Sequence, residues 1–203
     1  MKIGVLALQG DVREHIQSLS DCGVDARAVK TKSEIQDISA LVIPGGESTT
    51  IAKLARAFDL MDLIKDRINS GMPTYGSCAG MILLSDVVKD AVEGQETFGG
   101  IDMVVRRNAF GRQVESFETD LKFKGITEPA VRAVFIRAPW VESVGASVEV
   151  LAEITGQDGV KHPVAVRSGN LLATSFHPEL TGDNRVHRFF VENICRQLTG
   201  SKG

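Results

Sequence analysis

The residues of this chain best suited to chemistry are a cysteine held between glycines, Gly76-Ser77-Cys78-Ala79-Gly80, and the triplet His177-Pro178-Glu179. A thiol is a nucleophile, an imidazole can take its proton, and a carboxylate can hold the imidazole so that one ring nitrogen stays free. In an extended segment residues two apart project to the same side, so His177 and Glu179 can lie adjacent, with Pro178 stiffening the backbone between them. The spacing assigns Cys78 as nucleophile, His177 as base and Glu179 as orienter. A buried apolar cysteine and an unrelated surface turn would explain either motif alone. Their joint occurrence on one fold is what favours catalysis.

Three further segments could serve the same site. Pro73-Thr74-Tyr75 reads as an extended run and Ala79-Gly80-Met81-Ile82-Leu83-Leu84 as an apolar helix, which puts Cys78 on a sharp strand-to-helix turn whose glycines keep the backbone free of a colliding Cβ. A sulfur there sits over the first helical turn, where unsatisfied N–H groups favour a thiolate. Pro44-Gly45-Gly46-Glu47-Ser48 is a strand-end loop with Ser48 placed to cap a helix from Thr49. Its amides could join the N–H of Ala79 in binding an oxyanion. Arg107-Asn108-Ala109-Phe110-Gly111-Arg112-Gln113 gathers two guanidinium groups and two amides, a set suited to a two-point grip on a carboxylate; a solvated loop paired to Glu115 or Glu118 is the alternative. Arg137 leaves the apolar run Ala133-Val134-Phe135-Ile136 and gains functional weight only from these neighbours.

The elements that must position these groups follow from hydrophobic period. Lys2-Ile3-Gly4-Val5-Leu6-Ala7-Leu8-Gln9 is nearly all apolar, as a parallel strand covered on both faces should be. A helix carrying Val12, Ile16, Leu19 and Cys22 follows, then strands over 24–30 and Ala40-Leu41-Val42-Ile43. Two helices come next, one with Ile51, Leu54, Ala55 and Phe58 inward, one with Leu60, Leu63, Ile64 and Ile68, before the strand that delivers Cys78. Over 98–166 β-type segments separated by glycines take over, predicting a mixed or antiparallel extension continuous with the core sheet. Leu171-Leu172-Ala173-Thr174-Ser175-Phe176 is a last strand ending at His177, and a closing helix turns Val186, Phe190, Ile194 and Leu198 to one side. The fold class is α/β: three layers, a doubly wound, mostly parallel sheet flanked by helices, flavodoxin-like, in one domain over 1–203. Reactive groups in such folds collect at the carboxyl ends of strands, where Cys78, His177 and the Gly45-Gly46 loop all fall.

Composition bounds the remaining choices. The 26 acidic and 23 basic residues leave a net charge of -3 with scattered basic groups, which argues against a nucleic-acid surface. Three cysteines make no disulfide framework, Met1-Lys2-Ile3-Gly4 runs into a strand rather than a leader, and apolar stretches are strand-sized, so a reducing cytoplasm is expected. Cys22 and Cys195 are read as structural, and Trp140 as a packing residue. His15, His162 and His187 pair with no ligand or nucleophile by spacing and default to exposed or capping roles. No cofactor is expected, nor a metal: zinc on Cys78, His177 and Glu179 lacks a supporting CxxC or HxxxH pair. A peptidase-like hydrolase or thiol sensor of similar fold, and a phosphate-binding module on the Gly45-Gly46 loop, remain as rivals; the loop has no P-loop lysine.

Taken together, Leu8-Gln9-Gly10, Pro44-Gly45-Gly46-Glu47-Ser48-Thr49-Thr50, Gly76-Ser77-Cys78-Ala79-Gly80, the stretch 107–115, Phe135-Ile136-Arg137-Ala138-Pro139 and Ser175-Phe176-His177-Pro178-Glu179-Leu180 closely resemble the glutaminase subunit of the ribose 5-phosphate-dependent pyridoxal 5′-phosphate synthase. That family lies within the class I, triad-type glutamine amidotransferases. The resemblance implies that Cys78, His177 and Glu179 hydrolyse L-glutamine to glutamate and ammonia through a glutamyl thioester. It implies glutamine binding by Gly46, Glu47, Ser48, Arg107, Ile136 and Arg137, and an oxyanion hole from Gly46 and Ala79, completed with Gln9 on docking. It further implies a synthase (lyase) partner in a large ring-shaped heteromeric complex, which receives the ammonia and makes the cofactor of vitamin B6 metabolism from ribose 5-phosphate and glyceraldehyde 3-phosphate. Ser77 and Ala109 stand where threonine and serine are common in that family, away from the proposed chemistry, and the 156–162 loop is longer than usual.

Overall fold

A strand that is apolar on both faces must be covered on both, and alternate residues then feed two separate cores. The computed structural model describes residues 1–107, 116–156 and 159–197. In it β1 (Lys2–Leu6) sends Ile3 and Val5 to one side and Leu6 to the other, and β3 (Ala40–Ile43) divides Ala40 and Val42 from Leu41 and Ile43 in the same way. With β2 (Asp25–Val29), β4 (Thr74–Ser77), β10 (Glu149–Thr155), β11 (Lys161–Ser168) and β12 (Leu171–Thr174) they form a seven-stranded sheet in the order β10-β11-β12-β4-β3-β1-β2. The five strands from β12 to β2 are parallel; β11 runs antiparallel to both of its neighbours.

One face is covered by α2 (Lys32–Asp37), α3 (Ser48–Ala57), α4 (Met61–Asn69) and α5 (Ala79–Leu84), which contribute Ile35, Ile51, Ile64 and Leu83 to that core. The other face takes α1 (Val12–Ser20), α6 (Arg185–Phe189) and the π-helical turns Phe190–Cys195, bringing Leu19, Val186, Phe190 and Ile194. No described helix is long and apolar enough to cross a membrane.

The strand-rich segment departs from expectation. Only β10 and β11 continue the central sheet. β5 (Ser85–Lys89), β6 (Ile101–Arg106) and β9 (Trp140–Val144) form a separate three-stranded sheet on the first face, while β7 (Ser116–Leu121) and β8 (Val131–Ile136) form a separate hairpin on the second. Their burial alternates, so each small sheet lays one side on a core and the other in solvent, whereas a strand inside the main sheet is covered twice.

Smaller differences have local causes. Helix α2 is an addition to the expected elements, and its start carries a reciprocal cap: Thr31 Oγ1 accepts from Glu34 N–H at 3.4 Å and Glu34 Oε2 accepts from Thr31 N–H at 2.9 Å. Phe58 is exposed rather than inward, because α3 ends at Ala57 and Asp59, at φ 55°, turns the chain away. Strand β1 stops at Leu6, which frees Gln9 to reach the next strand-end loop. Val186, Phe190 and Ile194 are buried as expected; Leu198 lies outside the described residues.

Candidate active site

Cys78 lies between β4 and α5 at φ 49° and ψ -101°, a backbone conformation that costs about 1–3 kcal/mol for a residue with a side chain. The surroundings over-determine it. A Cβ on Gly76 would stand 2.4 Å from the carbonyl carbon and oxygen of Gly80, and one on Gly80 would stand 2.3 Å from the Ile43 carbonyl oxygen, so the turn closes only with glycine at both places. The Cys78 N–H donates to the Thr174 carbonyl at 2.7 Å, tying the turn to β12. Because β4 and β12 are adjacent and parallel, their carboxyl ends deliver Cys78 and His177 to the same edge.

His177 is buried, its backbone N–H donating to the Val134 carbonyl at 2.9 Å. Its Nδ1 lies 2.8 Å from Glu179 Oε1, and the Cys78 thiol is close enough to the ring to favour its charged form. With Nδ1 committed to the carboxylate, Nε2 is the nitrogen left for sulfur. Burial opposes a charge on this imidazole, but Asp11, Cys78 and Glu179 together outweigh it and raise its pKa. Burial likewise opposes ionisation of Glu179, and the histidines beside it, His15 and His177, override that and hold the carboxyl far below the usual range. A Cβ on Gly45 would stand 2.3 Å from His177 Cε1, so this loop glycine is what lets the imidazole pack against it.

The mouth is built by the loop after β3. Gly46 has φ 154°, Gln9 Oε1 accepts from Glu47 N–H at 2.7 Å, and the Gly45 carbonyl accepts from Asp11 N–H at 3.3 Å. Glu47, not Ser48, caps α3: its carboxylate accepts from the N–H groups of Thr49 at 3.1 Å and Thr50 at 2.7 Å. A longer side chain one residue earlier reaches both amides, so the helix starts at Ser48 instead of Thr49. Glu47 Oε1 is also 3.2 Å from Arg107, which donates to Gln95 Oε1 at 2.8 Å. Arg107 thus pairs with Glu47, and Glu118 with Arg132. The remainder of the arginine-rich loop, 108–115, lies outside the described residues.

A cavity of about 410 Å³ joins these parts, lined by Gln9, Gly46, Glu47, Ser48, Cys78, Ala79, Arg107, Ile136, Arg137 and His177 among others. The size and the few convergent polar groups suit a small metabolite. Ala79 opens α5, so its N–H belongs to a first turn that has no intrahelical acceptor. Arg137 adopts φ 43°, a second strained residue on the cavity wall. Gln9, Gly46, Glu47, Ser48, Cys78, Ala79, Arg107, Ile136, Arg137 and His177 therefore border one space, and Glu179 stands behind His177.

Asp11 and Gln95 escape the sequence reading, and three histidines depart from it. Asp11 Oδ2 lies 3.5 Å from His177 Nδ1; its place just past a strand end is the available signal. Asp11, His177 and Glu179 bring three potential ligand atoms within 4.8 Å, but an N–H shared between two carboxylates accounts for that grouping without an ion. Gln95 bridges Arg107 and Ser48 from a loop that carries no pattern. His15 and His187 are fully buried, and His162 is buried against Trp140 with rings stacked 3.7 Å apart, so all three contradict the exposed or capping roles expected of them. Cys22 and Cys195 are core residues as anticipated, and burial pushes the Cys195 thiol up to about 12.

Comparison with known proteins agrees with this geometry. The SNO glutamine amidotransferase family matches residues 5–196. A protein from Parafrankia sp. called pyridoxal 5'-phosphate synthase subunit PdxT is 58% identical over 202 residues, covering 100% of this chain and 97% of its own. One of the same name from Streptomyces avermitilis is 60% identical over 197 residues, covering 97% and 96%. A crystal structure of a glutamine amidotransferase superposes with a TM-score of 0.85 at 47% identity over 94% of this chain and 97% of that one. The PurLQS structure from Thermotoga maritima, 15% identical with a TM-score of 0.62 over 97% and 98%, shares the fold. This chain belongs to the SNO glutamine amidotransferase family.

Proposed function

We propose that this chain is the glutaminase subunit of a pyridoxal 5′-phosphate synthase, hydrolysing L-glutamine and handing the ammonia to a synthase subunit. The observation that carries the reading is the row Cys78, His177, Glu179, in which the first two residues line a cavity that also holds Arg107 and the third stands behind them. Family membership and relatives named for that synthase support the substrate and the partner.

The chemistry follows from the row. With the thiol proton already passed to His177 Nε2, as the raised pKa of that imidazole allows, Sγ attacks the side-chain amide carbon of glutamine, forming a tetrahedral intermediate whose oxyanion faces the N–H of Ala79 and the Gly46 loop. Collapse breaks the C–N bond, and the imidazolium returns its proton to the departing nitrogen, which leaves as ammonia. Water, deprotonated by the same imidazole, then cleaves the thioester to glutamate and restores the thiol. Glu179 holds Nδ1–H throughout, so the ring does not turn over between steps. Arg107, with Glu47, Ser48, Ile136 and Arg137 around it, receives the amino-acid end of glutamine, exchanging the Glu47 carboxylate for that of the substrate. Gln9 pins the Gly45-Gly46 peptide through Glu47 N–H, so a partner that moves Gln9 would reset the oxyanion-binding loop. Equal glutamine turnover with and without synthase would remove that last element. The setting is the cytoplasm, where a free nucleophilic thiol persists.

Cys78→Ala is expected to lower ammonia release, measured with synthase present, by a factor on the order of 10⁶ while leaving the thermal melt intact. Substantial residual glutaminase activity in that variant would refute the assignment.

A further inference from the structure

Glu179 raises a question that the triad does not answer, because a buried carboxylate needs more than one partner. Its side chain is wholly buried; Oε1 serves His177 and lies 3.4 Å from His15 Nε2, and Oε2 has no hydrogen-bond partner. His15 comes from α1 and has three contacts of its own: Ser77 Oγ at 3.0 Å and Glu179 at its Nε2, and His187 Nε2, from α6, at 2.8 Å from its Nδ1. His187 Nδ1 meets nothing. The pair is walled by the Tyr75 ring, 6.0 Å from His15 and 5.7 Å from His187, with its hydroxyl 2.9 Å from Thr174 Oγ1.

A contact of 2.8 Å between two imidazole nitrogens holds one proton, and it can be ordered in two ways. If His15 Nδ1 donates, His187 must carry its own proton on Nδ1, which leaves a buried N–H with no acceptor; a neutral His15 would also aim a bare lone pair at the Glu179 carboxylate. If His187 Nε2 donates, the unpartnered atom is only a lone pair, and His15 Nε2–H is left to face Ser77 Oγ and Glu179 Oε1. The second order avoids both costs, since an unmet buried donor forfeits its full desolvation energy and like poles repel.

We propose that His187 and His15 form a buried, proton-ordered wire that ends on Glu179, making His15 a positioning residue that holds the triad carboxylate toward His177, and His187 the residue that sets the tautomer of His15. The wire rests on the triad reading above. It makes Glu179 the meeting point of two imidazoles, with the Nδ1–H of His177 on one side and the Nε2–H of His15 on the other, so that the carboxylate stays ionised without water. Burial drives the His187 pKa down to about 3, which keeps it the neutral donor that the wire requires. The charged or titratable groups facing the chain are Asp183 and Glu179 at His187, Tyr75 beside both rings, and Asp11 and Cys78 at His177.

Two measurements on the full-length protein test this. Imidazole ¹⁵N shifts at neutral pH should show His187 neutral and protonated on Nε2, with His15 protonated on Nε2 and bare at Nδ1; a proton on His187 Nδ1 overturns the proposal whatever the triad does. Glutaminase assays in the synthase complex should then give His15→Leu a kcat lower by about 10–100-fold, with KM within about two-fold. Its acid limb should move to higher pH, because Glu179 has lost a group that holds its pKa down. His15→Gln, which keeps an N–H near the Nε2 position, should recover most of the rate, and His187→Gln should exceed His187→Leu. A folded His15→Leu with the wild-type rate and pH profile, or a folded His15→Gln as impaired as the leucine variant, overturns the wire. If the leucine variant does not fold, the tautomer assignment decides. An active Cys78→Ala would instead sink the triad and leave the tautomer assignment standing.

Discussion

The two sides of His177 are held by different physics. Behind it, the side chains of Glu179, His15 and His187 are fully shielded from solvent, 2.8–3.4 Å from one to the next, walled by the Tyr75 ring and fixed by strands and helices of the central layers. In front, Arg107 and Glu47 are partly solvated and satisfied by each other, with the glutamate 49% exposed. Such a half-exposed ion pair is worth less than about 1 kcal/mol, so an incoming carboxylate can replace it at little cost, whereas nothing mobile can substitute for a partner in the dry half. The interior is therefore organised before substrate arrives, and the mouth is organised by substrate.

That contrast is most sharply tested at Glu179. Glu179→Gln keeps the shape but presents an amide that can meet His177 with either end, so the tautomer leaving Nε2 bare is no longer enforced. We expect kcat to fall by about 10³–10⁴ with KM little changed, and a loss under ten-fold in steady-state assays would show that Glu179 only packs. At the mouth the split should reverse. Arg107→Ala should raise KM for glutamine by about 10–100-fold, the worth of a charged two-point contact, with kcat within a few-fold, because the contact is the same in ground and transition states. Its thermal melt should hardly move, since Glu47 still caps α3. A collapse of kcat at constant KM would place Arg107 with the interior groups and erase the distinction.

The same division decides what can be read from the sequence. The elbow is legible because a cysteine between glycines, at the junction of an extended and a helical pattern, fits little besides a tight strand-to-helix turn, and the clashes at Gly76 and Gly80 bear that out. Strands β1 and β3 are legible because a nearly unbroken apolar run fits only an element covered on both faces. The wire is not, since His15, at i+3 from Val12, shares the buried face of α1 but its spacing does not say what lies across from it, and His187 meets it only because α1 and α6 pack on one face of the sheet. The cap falls on Glu47 rather than Ser48 because the helix starts one residue earlier than its pattern suggests, and local spacing does not resolve that single step. The small sheets read as part of the large one because alternation predicts a strand without saying which sheet owns it. The Arg107–Glu47 contact joins residues 60 positions apart and leaves no local trace.

Asp11 stands between the two regimes and should give the smallest effect. Its carboxylate is 3.5 Å from the same Nδ1 that Glu179 holds at 2.8 Å, and its side chain is 37% exposed, so it supplies charge without controlling the tautomer. His177 has a raised pKa, with burial opposing the charge and Asp11 among the groups that overcome it. A raised histidine stabilises the fold fully below its unfolded pKa of about 6.5, and that contribution is lost as pH rises through the folded value. Asp11→Asn removes one source of the increase, so the imidazolium should give up its proton at lower pH. The alkaline limb of kcat/KM should therefore shift downward, the alkaline fall in melting temperature should begin earlier, and kcat at neutral pH should stay within a few-fold of wild type. Because the group is partly solvated, the shift should shrink in high salt, unlike any change made at Glu179. An upward shift of the alkaline limb would mean that Asp11 competes with Glu179 for the proton rather than reinforcing it, and the dry half of the site would then extend to the solvent edge.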